Sequence, residues 1–148
     1  MRPEVDAILS SLAQRQLVEL APQLGGAYAQ GTATLMALLM RLAAEEFENA
    51  AAIRAAENAD FRALFLEIAP GVAGPRLRAK LKAAAGDKDT SLKISALNAA
   101  NEHLRRLLIA AHAHVETRPG APAREAERAI LAALKRSADR RFVAPLAV

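Results

Sequence analysis

The stretch AYAQGTATLMALLMRLAAEEFENAAAIRAAENA (Ala27–Ala59), running on into DFRALFLEI (Asp60–Ile68), decides the fold. It holds no proline and a single glycine, Gly31. Alanine loses no side-chain entropy in a helix, and leucine, methionine and glutamate lose little. The stretch therefore predicts one long helix. Successive helical side chains turn by about 100°. With Leu35 set at zero, Leu39 falls at about +40°, Leu42 at about −20° and Ile53 close to zero. Glu46 falls at about +20° and Asn49 at about −40°, so both lie inside the main apolar stripe. Met36, Met40 and Phe47 make a second stripe. A helix apolar on two sides is either central in a bundle or shared with a partner subunit.

Working outward, breakers divide the rest of the chain. Pro3 to Leu20 predicts a first helix, with Glu4 and Asp6 at the positive end of its dipole, ended by Pro22 and Gly25-Gly26. Pro70, Gly71, Gly74 and Pro75 close the long helix. A short basic helix is expected from Pro75 to Ala85 and ends at Gly86. Asp87, Asp89 or Thr90 can cap a helix from Ser91 to Glu116. Pro119, Gly120 and Pro122 make the last turn, and a final helix is expected from Pro122 to Arg141. The tail Phe142–Val148 is apolar and interrupted by Pro145, which suits an extended strap. No segment alternates apolar and polar residues as a strand does. The expectation is an all-α fold: one domain over residues 1–148, an antiparallel helical bundle of four to five helices with an apolar C-terminal tail.

The Ser91–Glu116 helix repeats the pattern of the long one. Leu97, Leu104, Leu108, Ala111 and Val115 define a stripe that contains Asn101. Asn98, Arg105, His112 and Glu116 run along its edge. A buried carboxylate without a partner costs several kcal/mol, so polar residues on apolar stripes are expected to meet one another. The candidate set is Glu46, Asn49, Asn101, Arg105, His112 and Glu116. One reading is a ligand pocket between helices, where bundles place such sites. Others are a satisfied buried network that fixes register, and an open bundle that leaves these positions in water.

The remaining chemistry is excluded or unsupported. The 148 residues include no cysteine, so there is no thiolate nucleophile, disulfide or Cys-ligated zinc. The three histidines, His103, His112 and His114, follow Ala100, Ile109 and Ala111 at the i−3 position. The Glu-x-x-His pattern of carboxylate-bridged metal bundles is therefore missing, and no metal or cofactor is expected. No phosphate-cradling glycine loop or nucleophile elbow is present. The residues point away from an enzyme. The N-terminus lacks the charge pattern of a secretory leader, and Ala33–Ala44 is too short to span a bilayer, so a cytoplasmic protein is expected.

Net charge is +4 but uneven. Residues 1–69 hold 5 Lys/Arg against 9 Asp/Glu, a net of −4, and residues 70–148 hold 15 against 7, a net of +8. The basic half admits an acidic partner such as nucleic acid. With five aromatic residues, none interleaved with the basic clusters, a base-stacking surface is not expected. Pairing of the acidic half with the basic half, within a chain or across a dimer, is the simpler use of that charge. A homodimer is expected, with Met36, Met40, Phe47 and the Phe142–Val148 tail as contact surfaces.

The segments EEFENAAAIRAAENADFRALF (Glu45–Phe65) and HLRRLLIAAHAHVE (His103–Glu116) resemble parts of a family of uncharacterised bacterial helical proteins. Members of that family are encoded beside acyl-CoA dehydrogenases and aminoglycoside-phosphotransferase-like enzymes. The resemblance implies an accessory role near acyl-CoA metabolism and carries over no catalytic residue.

Overall fold

The structure, a computed structural model, describes residues 4–141. Pro3 and the Phe142–Val148 tail lie outside the described residues. Five α-helices and no strand are found among those described: α1 (Val5–Arg15), α2 (Ala27–Ile68), α3 (Pro75–Gly86), α4 (Ile94–Glu116) and α5 (Ala121–Arg140). No helix among them is long and apolar enough to cross a membrane.

Two boundaries differ from the sequence expectation. The first helix stops at Arg15 and loosens into a π turn, Gln16–Leu20, before a 3₁₀ turn, Ala21–Gln23. Pro22 lacks an N–H, and its ring would strike the carbonyl of Val18, so a regular helix cannot continue into it. Helix α4 begins at Ile94 rather than Ser91 and has no side-chain cap. Asp89, an expected cap, is bound instead by Arg62 and Asn58 of α2.

The chain divides into two compact units, with the boundary inside α2 after Ala50. In the first unit every buried residue among those described is alanine: Ala13, Ala21, Ala33, Ala37, Ala44 and Ala50. On α2 the side chains of Ala33, Ala37 and Ala44 form one line, at about 160–200° on the wheel that puts Leu35 at zero. Many large apolar residues of this unit face water, with Leu35 57%, Met36 51%, Leu39 55% and Phe47 56% exposed, while Leu9, Leu17, Leu38 and Met40 are half-buried.

The second unit has a conventional core. Phe61, Leu64, Phe65 and Ile68 of α2 pack with Leu81 of α3, Leu104, Leu108 and Val115 of α4, and Ile130 and Ala133 of α5. Each large side chain removed from water contributes about 1.5–3 kcal/mol. Contacts fix the topology. Arg54 pairs with Asn98, Asn58 with Asn101, and Phe61 with Arg105, so α2 and α4 run parallel. Glu57 meets Ser137 and Arg141, while Gly71 lies beside Pro122, so α5 runs antiparallel to both. Helix α3 makes the return between α2 and α4, which gives an up-down-up-down bundle. Two glycines permit it. A Cβ on Gly71 would stand 3.0 Å from the Pro122 carbonyl oxygen, and Gly120, at φ +117°, opens α5 in a conformation that L side chains rarely adopt.

Candidate functional site

The polar centre of the second unit is Glu57, which is 1% exposed. Its position on α2 places it one turn before Phe61 on the face that enters the core. Asn101 Nδ2 donates to Glu57 Oε2 at 2.8 Å and to Asn58 Oδ1 at 2.9 Å. Arg105 donates to Glu57 Oε1, and through Nε to Asn101 Oδ1 at 2.9 Å. The Ser137 hydroxyl donates to Glu57 Oε1 and accepts from Arg105 at 3.1 Å. Arg141 donates to Glu57 Oε2. Side chains of α4 and α5, with Arg141 just beyond α5, thus converge on one carboxylate of α2. The Arg105 guanidinium also lies 5.6 Å from the centroid of the Phe61 ring, within cation–π range.

Burial alone raises the pKa of Glu57. Hydrogen bonds from Arg141 and Ser137, with the charges of Arg105 and Arg141, outweigh it and hold the group at about 2 against an ordinary 4.5. The carboxylate stays ionised at any pH near neutrality, so it is no proton donor there. Each of its oxygens already accepts at least two hydrogen bonds. That accounts for about four lone-pair sites, the usual capacity of a carboxylate.

A second cluster extends the first. Asn58 donates to the Leu97 carbonyl at 3.3 Å and to Asp89 at 3.1 Å. Arg62 grips Asp89 with two parallel bonds of 2.7 and 3.1 Å. Arg62, foremost by its hydrogen bonds, draws the Asp89 pKa below the usual carboxylate range. Together these contacts pin the 87–93 loop to α2. On the far side Asp60 pairs with Arg140 at 2.7 Å and with Arg136 at 3.6 Å.

Of the six candidate residues, the structure brings Asn101 and Arg105 together, around a partner outside the set. Glu46 and Asn49 are exposed rather than sealed between long helices. The face they occupy, which also carries Leu35 and Leu39, is the outward face of α2 in the first unit, where alanines take the buried positions instead. Asn49 Nδ2 donates to the backbone and side chain of Glu45. His112 is half-buried and Glu116 exposed, and no hydrogen bond joins them. Glu57 was legible on the same helical wheel: it falls at about +40°, level with Leu39, one step beyond the residues that define the stripe. Ser137 lay on the apolar face of the final helix beside Ile130 and Ala133.

A separate cleft of about 300 Å³ lies where the end of α2 meets the start of α5, bounded by Glu67, Pro70, Gly71, Pro122, Glu125 and Ala129. It contains none of the candidate residues. Among the described residues no three acidic or histidine side chains converge as a metal site would require. In comparisons with protein-family models, curated proteins and solved structures, nothing matches this chain.

Proposed function

We propose that this is a non-catalytic interaction or accessory protein that works as a homodimer, with the first unit as the joining surface. One observation carries the reading: the fully buried residues described in the first unit are all alanines, while Leu35, Met36, Leu39 and Phe47 stand more than half in water. Apolar patches of this extent on soluble chains mark interaction surfaces. The Glu57 cluster supports it from the other side. Its hydrogen-bonding capacity is filled from within the protein, so its role in this reading is to lock the second unit into a rigid body. The resemblance of Glu45–Phe65 and His103–Glu116 to helical proteins encoded beside acyl-CoA dehydrogenases supports placing the accessory role near acyl-CoA metabolism.

Light scattering on the size-fractionated protein tests the dimer. The expected mass at micromolar concentration is twice the 15.7 kDa of the chain. Leu39→Glu should return it to the single-chain mass with its helical signal intact. A wild-type chain that keeps the single-chain mass throughout the micromolar range overturns the reading.

A further inference from the structure

The Glu57 carboxylate is full, but the arginines that fill it are not. Four guanidiniums share two carboxylates in this part of the second unit. Arg105 and Arg141 pair with Glu57, and Arg136 and Arg140 pair with Asp60. Glu57 and Asp60 are three residues apart on α2, which puts their Cβ atoms about 5–6 Å from each other. The two pairs therefore lie side by side. Their sum is four positive charges against two negative, an excess of two. Asp139, the nearest acid on α5, is taken by Lys135. The seven residues after Arg141, FVAPLAV, include no acidic side chain. The carbonyl end of α5 offsets about half a charge, so the excess stays well above one.

The arginines are held without being enclosed: their side chains are between 33% and 53% exposed. A guanidinium has five N–H donors. Arg105 spends Nε on Asn101 and Nη2 on Glu57 and Ser137, and Arg141 spends Nη2 on Glu57. Among the described residues, Arg105 Nη1 and Arg141 Nε and Nη1 donate to nothing. Arg140 Nη1 lies 2.7 Å from Asp60 Oδ2, yet neither atom has an aligned hydrogen bond.

We propose that this arginine patch binds a tetrahedral oxyanion of charge near −2, a phosphate group, between Arg105 and Arg141 with Arg140 and Arg136 beside them. Guanidiniums recognise phosphate oxygens through paired N–H bonds. Here the buried carboxylates fix the arginines in advance, so binding costs little further side-chain order. A dianion also cancels the local excess. The proposal stands on the second unit alone and does not depend on the dimer.

Melting of the full chain is followed while inorganic phosphate or phenyl phosphate replaces sodium chloride at constant ionic strength and pH. A saturable rise in melting temperature is expected. The midpoint should be lower for phenyl phosphate if the ligand is a phosphoryl ester, and lower for inorganic phosphate if it is the free ion. Arg136→Gln alters a half-exposed side chain 3.6 Å from Asp60, so the chain should fold as before and its midpoint should rise several-fold. Arg141→Lys, which keeps the charge and loses the fork, should raise it further. Arg124→Gln removes the same charge at the far end of α5 and should leave it unchanged. A melting temperature that does not respond to either probe, or equal losses in Arg124→Gln and Arg136→Gln, overturns the site.

Discussion

Before Ala50 the face of α2 that carries Leu35, Met36, Leu39 and Phe47 stands in water. After Ala50 the same face, by helical angle, carries Glu57, Phe61, Leu64 and Ile68 and is sealed. Nothing in the local chemistry separates the two halves: both are alanine-rich, helical and apolar on this side. The difference lies in what covers them. Beyond Ala50, α3, α4 and α5 of the same chain supply the cover. Before it the buried side swings round by about 130° to a line of alanines, which leaves the leucines bare. A hydrophobic stripe specifies that a face is to be covered, not by what. One stripe can be core in one half of a helix and stand bare in the other.

The two halves should therefore respond differently to damage, most of all at Glu57. Glu57→Ala removes the common partner of Arg105, Arg141, Asn101 and Ser137 and leaves Asn101 and Ser137 buried without it. Breaking a buried pair from one side costs about 3–5 kcal/mol. Urea unfolding at pH 7 measures this as a lower midpoint. A loss below about 1 kcal/mol means that the cluster does not hold the second unit together.

Acid should act on the same group. The folded pKa of Glu57, about 2, lies below its ordinary 4.5, so ionisation favours the folded state. The stabilisation is fully present above pH 4.5 and is lost as pH falls from there towards about 2, amounting to about 3 kcal/mol. Asp89, also held below its ordinary range, adds in the same direction. Stability followed from pH 6 to pH 2 should fall steeply in the wild type and less steeply in Glu57→Gln. Parallel curves for the two would sever the link to this carboxylate.

Asp89→Asn probes the pinned loop. It weakens the two charge-assisted hydrogen bonds from Arg62, a pair whose side chains are 15% and 13% exposed, and the expected cost is about 2 kcal/mol. Hydrogen exchange should locate the loss in the 87–93 loop and the start of α4. Uniform loss of protection over α5 instead would show that Asp89 supports the whole bundle.

How much of this was legible in the sequence follows the same division. Helix content and the breaks at Pro70–Pro75 and Pro119–Pro122 are local, and propensity and proline chemistry expose them. Asn101 and Arg105 were found because a polar residue amid leucines is conspicuous. Their central partner escaped because Glu57 lies in an alanine-rich stretch, RAAENAD, that looks like a solvated surface unless the wheel is carried through to Phe61 and Leu64. The pairing of Arg62 with Asp89 joins residues far apart in the chain, and no periodicity encodes it. The outward turn of Leu35 and Leu39 was illegible for a further reason. Alanine and leucine both count as apolar, and in the first unit the alanine line is the buried one while the wider leucine stripe is not.

The smallest effect on unfolding should come from the longest apolar stripe. Leu35 is 57% exposed, so Leu35→Gln removes little buried area within the chain and should change the unfolding free energy of a dilute sample by less than about 0.5 kcal/mol. In the proposed dimer the same substitution places an amide in the joining surface, where it is desolvated without a partner. Association should weaken tenfold or more, visible as a fall in average mass on dilution. Leu64→Gln, on the same helical face but after Ala50, should do the reverse, with large loss of folding stability. A Leu35→Gln chain that unfolds as readily as Leu64→Gln would mean that the first unit has a core of its own, and the contrast between the halves of α2 would fail.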